Sequence, residues 1–170
     1  SVVTIARVGQ QFGAKIALEW PKFCDYWREP DYASFAVEHG LRSSFLDGCM
    51  YGLVSRASAS LGVPIRKPWR IDTNCDALGQ YLSTVCDGSH DHAPCAGIDT
   101  KATEGYTDHI AECIHRGFGE HAKHIAQALS VATTRSKQQP SRWRPLAPLA
   151  VCLQMAGNTD DIMGDVAFED

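Results

Sequence analysis

Residues 15–21 read Lys-Ile-Ala-Leu-Glu-Trp-Pro, and the fold is read outward from this stretch. Ile16, Ala17 and Leu18 form a short apolar run without helical spacing, which predicts a buried strand over 15–19. Pro21 cannot donate to a central ladder, so the strand is expected to end at Trp20-Pro21. Upstream, Val2, Ile5, Ala6, Val8 and Phe12 recur at helical spacing and Gly13 follows as a stop, which predicts a helix over 2–12. Downstream lies an aromatic loop with Phe23, Tyr26 and Trp27. Pro30 then opens a second helix, with Tyr32, Phe35, Ala36 and Val37 inward and Gly40 as its cap.

Further strands are expected at Ser44–Gly48 and Trp69–Thr73, joined by a longer connection over 50–68. Asn74 and Asp76 suit a turn or N-cap ahead of a short helix from Ala77 to Val85. Tyr106, Ile110, Ile114, Phe118, Ala122, Ile125 and Leu129 recur every three or four residues and predict a long helix over 107–131, with Glu112 and Arg116 as a surface pair. The order helix, strand, helix, strand, strand, helix, helix argues for an α/β fold in one main domain over 1–133. Residues 134–146 read as a basic linker and the acidic end as a frayed tail, so 134–170 is expected to be linker and tail.

With 170 residues, of which 44% are hydrophobic, the chain can build a sizeable core. Sixteen basic and 20 acidic side chains leave a formal charge of −4, which argues against a strongly electrostatic nucleic-acid binder but not against local basic patches. No apolar run reaches the length of a membrane span. The start, Ser1-Val-Val-Thr-Ile-Ala-Arg, has neither the pattern of a secretory signal nor a Met, so a fragment or processed chain is expected. Seven cysteines do not form an even disulfide framework, and reduced thiols in an intracellular, nuclear or cytoplasmic setting are expected.

Residues 86–95, Cys-Asp-Gly-Ser-His-Asp-His-Ala-Pro-Cys, hold the strongest chemical signal. Cys86, His90, His92 and Cys95 supply four zinc-type donors in ten residues, and Gly88, Ser89 and Pro94 suit a chain turning around an ion. Cys49 or Cys75, at expected strand ends, can supply or replace a ligand. His90 and His92 are two apart, so in an extended segment one of them points away. Zinc is the expected ion, structural rather than catalytic, in a loop spanning 86–97; the competing reading is an ordinary polar loop. Glu19, at the carboxyl end of its strand, lies where open α/β sheets place working residues, though a Glu paired with Arg or capping a helix is as consistent. Arg66, Lys67 and Arg70 are candidate phosphate contacts and Trp69 a candidate base-stacking ring; the alternative makes Trp69 core and the cations a solvated rim.

The order Glu19-Trp-Pro21, Asp47-Gly-Cys-Met-Tyr-Gly52, Arg66-Lys-Pro-Trp-Arg-Ile-Asp-Thr-Asn74 and Cys86-x-Gly-x-His-x-His92 resembles the carboxyl-terminal half of divergent DNA cytosine-methyltransferase-like domains of phage, algal or protist mobile-element type, over about residues 1–118. The resemblance implies a partial Rossmann-like sheet flanked by helices, with a Cys/His metal-binding loop. It places Glu19 at the family's cytosine-contacting Glu, with Trp20 in place of its Asn. The Gly-rich cofactor turn and the Pro-Cys nucleophile that precede the Glu strand in that family have no counterpart here. Pro94-Cys95 comes after the strand, and Gly157-Asn-Thr-Asp160 follows no convincing strand. The implied function is a methyltransferase-like domain that is not catalytic alone and binds nucleic acid or a protein partner. Two alternatives stand beside it: a structural or assembly subunit, and a metal-dependent nuclease with Asp91 and His92 as general-base candidates.

Overall fold

The computed structural model describes residues 2–135 and 151–154. The chain runs through α1 (Val2–Gln11), β1 (Ile16–Pro21), α2 (Pro30–Glu38), β2 (Arg42–Asp47), β3 (Pro68–Thr73), α3 (Asp76–Tyr81), α4 (Ile98–Ala102), α5 (Asp108–Arg135) and β4 (Val151–Gln154). One-turn 3₁₀ segments follow β1 and β2, at Asp25–Arg28 and Gly48–Tyr51.

The strands lie in the order β2-β3-β1-β4. β3 sits between β1 and β2 and runs antiparallel to both, with Trp20 opposite Arg70 and Phe45 opposite the same Arg70. β4 pairs parallel to the free edge of β1. The expected α/β layering therefore holds, but the core of the sheet is three antiparallel strands rather than a Rossmann-type parallel array. The cause is the connection over 48–67. It carries no helix back across the sheet, so the chain re-enters from the end it left and β3 must run the other way.

Side chains alternate across the strands and define two packed faces. One buries Leu18 and Ile16 against Ala6 of α1 and Tyr32 and Phe35 of α2, with Trp27 alongside. The other buries Ala17, Ile71, Trp69 and Leu46 against Leu78 of α3 and Ile110 and Cys113 of α5. The periodicity expected for the long helix is realised over its first part: Ile110, Ile114 and Phe118, with Tyr106 just ahead of α5, pack on this core, while Ala122 is exposed. Gly117 sets the distance between α3 and α5, since a Cβ there would lie 2.7 Å from the Cα of Leu78.

Beyond residue 133 the expected linker-and-tail division is only partly tested. α5 continues to Arg135, and β4 occupies 151–154 within the expected tail. Most of the basic linker and the Gly157-Asn-Thr-Asp160 motif lie outside the described residues. Among the described residues no helix is long and apolar enough to cross a membrane.

Candidate metal centre

Two separate segments converge at the carboxyl ends of β1 and β2. After β2, Asp47 enters the 3₁₀ turn that carries Cys49. After α3, the loop from Cys86 bends at Gly88, whose φ of +78° suits a residue without a Cβ. That bend returns the chain so that both imidazoles face one sulfur: Cys86 Sγ lies 3.8 Å from His90 Nε2 and 3.5 Å from His92 Nε2. The two His rings are 4.6 Å apart, centroid to centroid. With Cys49, the four ligand atoms all lie within 4.8 Å of one another. Zinc bond lengths in a tetrahedral shell put donor atoms roughly 3.3–3.8 Å apart. The two Cys86–His distances fall in that range, so the four side chains fit one such ion with little movement.

Three expectations change here. Of the two expected substitutes, Cys49 completes the group of four that could hold a metal, and Cys95 is not among them. Ala93 is buried and its N–H donates to the Pro64 carbonyl, which carries the chain past the cluster before Cys95 is reached. Cys95 is exposed and places its sulfur 3.3 Å from Thr103 Oγ1. His90 and His92 do not diverge, because the segment is a bent loop rather than an extended strand. Cys75, the other substitute, is fully buried at the start of α3, with its sulfur toward the Gly117 carbonyl. Asp91 is exposed and is not one of the four donors.

The surroundings hold the Cys49 thiol in its neutral form. Burial, and after it the neighbouring Cys86 sulfur, pushes the Cys49 thiol up. Two adjacent thiolates repel unless a metal lies between them, and coordination deprotonates such thiols outright. Metal uptake is therefore expected to release protons and to strengthen as pH rises.

Asp47 braces the loop. Its buried carboxylate accepts the backbone N–H of Cys86 at 2.8 Å and pairs with Arg66 at 3.3 Å. Asp47→Ala would leave that buried N–H unpaired and loosen a ligand. A 10- to 100-fold fall in metal affinity, read by chelator competition, is the expected outcome.

Glu19 sits in a second polar cluster nearby. Tyr106 donates to its Oε2 at 3.1 Å. Lys67 donates to the Thr103 carbonyl at 2.6 Å and lies 5.2 Å from the Trp69 ring centroid. Lys67 is the one non-glycine residue among the described ones with a positive φ, +24°. Burial pushes the Glu19 carboxyl up, against the pull of Tyr106 and Lys67, and burial pulls the Lys67 ammonium down. A carboxyl whose folded pKa is raised contributes its stability below the ordinary carboxylate pKa and loses it as pH rises through the folded value. Glu19→Gln is therefore expected to raise the melting midpoint at neutral pH by about 2–4 °C. That gain should vanish near pH 4, as pH-dependent melting would read.

The basic stretch is not a stacking site as laid out in the sequence. Trp69 is 4% exposed and belongs to the core between sheet and α5. Arg66 is tied to Asp47, and Arg70 reaches Asp72 at 2.6 Å with its guanidinium over Trp27. Phe45, across the sheet from Arg70, is 38% exposed, and Phe23 and Tyr26, just after β1, are 64% and 46% exposed. No family model matches the chain, and none of the curated proteins and none of the solved structures matches it.

Proposed function

We propose that this chain is a methyltransferase-like α/β module folded around one structural zinc ion, acting as a binding unit for nucleic acid or a protein partner rather than as an independent catalyst. The observation that carries the reading is the gathering of Cys49, Cys86, His90 and His92, from two loops, within 4.8 Å. Two thiolates and two imidazoles are a tetrahedral zinc set, and a first-row ion that prefers square-planar or all-oxygen ligation suits it less. A site filled by four protein side chains keeps no open position for substrate or activated water, which argues for a folding role and against metal-assisted hydrolysis. The motif order that carries the methyltransferase resemblance supports the descent. Glu19 lies toward the carboxyl end of β1, near the charge of Lys67.

Structural metal is folding free energy. Stripping zinc from purified protein with a strong chelator is expected to lower the melting midpoint by on the order of 10 °C. Zinc should restore it, and magnesium should not. An unchanged midpoint with metal removed would rule out the structural role.

A second reading, an assembly subunit, draws support from α1. Ile5, Val8 and Phe12 lie three and four residues apart on its outward side and are 48%, 49% and 63% exposed. A concentration-dependent rise in sedimentation coefficient, abolished by Val8→Glu, would favour that reading.

A further inference from the structure

The face of the sheet away from Trp69 carries a continuous aromatic row that runs from core to surface. Tyr32 and Trp27 are buried, with ring centroids 5.2 Å apart. Trp20 stands 5.1 Å from Trp27 and 4.3 Å from Tyr26, which is 46% exposed. Across the strands, Trp20, Arg70 and Phe45 share one register row and hence one face. Phe23 and Phe45, from different segments, are 64% and 38% exposed. The Lys22 ammonium lies 5.4 Å from the centroid of each.

The two rings and the cation are all open to solvent. Two phenyl rings stand in water, and a lysine is held between their π-faces instead of ranging through solvent. Its charge is also uncompensated. Among the described residues Lys22 makes no ion pair, while Asp25 pairs with Arg28, Asp47 with Arg66 and Asp72 with Arg70, and Glu19 accepts from Tyr106. A ligand suited to the patch offers flat π-surfaces to two rings and an anion to the cation between them. An unpaired polynucleotide has both, base after base, with a phosphate between successive bases. A duplex keeps its bases stacked on each other and would engage only the ammonium.

We infer that Phe23, Lys22 and Phe45 form a stacking platform for single-stranded nucleic acid, with two bases on the phenyl rings and the intervening phosphate on the Lys22 ammonium. The site is separate from the metal centre and from the Glu19 cluster. It rests on the fold rather than on zinc chemistry, so failure of the metal reading leaves it standing if the protein is folded. It also relocates base stacking from Trp69, buried on the opposite face, to rings that solvent reaches.

The test is fluorescence anisotropy of a labelled oligothymidylate with the full, zinc-loaded chain, in about 50 mM salt and again in about 200 mM. Binding is expected to weaken with salt, and an unlabelled duplex of matching length should compete poorly. Phe23→Ala and Phe45→Ala should each weaken binding by about 5- to 100-fold. Lys22→Gln should lower the salt slope by about 0.7. All three side chains are exposed, so unchanged melting midpoints would show that the fold is intact, and Val37→Ser, 83% exposed on α2, should bind as the wild type does. Failure of the wild type to bind would overturn the inference. So would binding indifferent to loss of both phenyl rings, or equal affinity for duplex, which needs no stacking.

Discussion

Cys86→Ser is expected to empty the metal centre and to lower the melting midpoint by on the order of 10 °C or more. No other donor occupies so central a position. Its sulfur is the atom both His Nε2 atoms face, at 3.8 and 3.5 Å, and its backbone N–H is held by Asp47. The residue is 7% exposed, so the substituted hydroxyl is left among imidazoles without the ion that ordered them. The loop over 82–97 has few large apolar side chains; apart from the metal it is held by Leu82 and Ala93 in the core and by hydrogen bonds of Thr84 and Cys86 to Tyr51 and Asp47. Loss of protection should therefore be confined to 84–92 and the Cys49 turn in hydrogen exchange, with β1 and β3 protected until global unfolding. A variant that melts like the wild type would remove the loop from any structural role.

Gly117→Ala is the second large effect, and it tests the fold independently of metal. The new methyl would meet the Leu78 Cα at 2.7 Å and its N at 3.0 Å, both backbone atoms of α3, so no rotamer change relieves the clash. α3 must move away from α5, and Leu78 and Ile110, each 1% exposed, lose their packing. A cost of about 3 kcal/mol is expected, seen as a midpoint lower by roughly 6–12 °C. Gly119→Ala, two residues along the same helix with nothing within 4 Å, is the control and should stabilise by about 0.5–1 kcal/mol through helix propensity. Equal destabilisation by the two would mean that the α3–α5 contact is not as close as drawn.

How much of this was legible in the residues divides by the physics involved. Periodicity is a local signal, and it located β1, β2 and β3, the helix at the start and the inward Tyr32 and Phe35 of α2, but it misplaced Val37, which is 83% exposed because it follows Ala36 round to the outer side of the helix. Strand direction is not local. Nothing in Pro68–Thr73 says that it will slot antiparallel between β1 and β2; that follows from a 20-residue connection without a crossing helix. β4 carries a weak local signal, since the apolar run Leu149-Ala-Val-Cys-Leu153 is short and lies behind a basic, proline-containing stretch.

The metal centre was legible in kind and partly in membership. Cys86, His90 and His92 are close in sequence and were singled out together. Cys49 lies 37 positions upstream and reaches the site only because β2 ends beside the loop, so sequence proximity favoured Cys95. The available clue was that Asp47-Gly-Cys-Met-Tyr-Gly52 places a cysteine in a tight turn directly after a strand. Trp69 was open to two readings, a stacking ring among cations or a core residue, and the core reading holds: the period-2 alternation of its own strand points it inward with Ile71. The ring-and-cation combination does occur, at Phe23, Lys22 and Phe45, but it is assembled across strands and is invisible in any one segment.

The most direct test of the central claim is metal content by elemental mass spectrometry on protein purified without chelator, for the wild type, Cys49→Ser and Cys95→Ser in parallel. The expected result is about one zinc per chain in the wild type and in Cys95→Ser, and a loss of most of it in Cys49→Ser. Metal-free wild-type protein, or zinc retained in Cys49→Ser and lost in Cys95→Ser, would contradict the assignment of Cys49, Cys86, His90 and His92 as one metal centre.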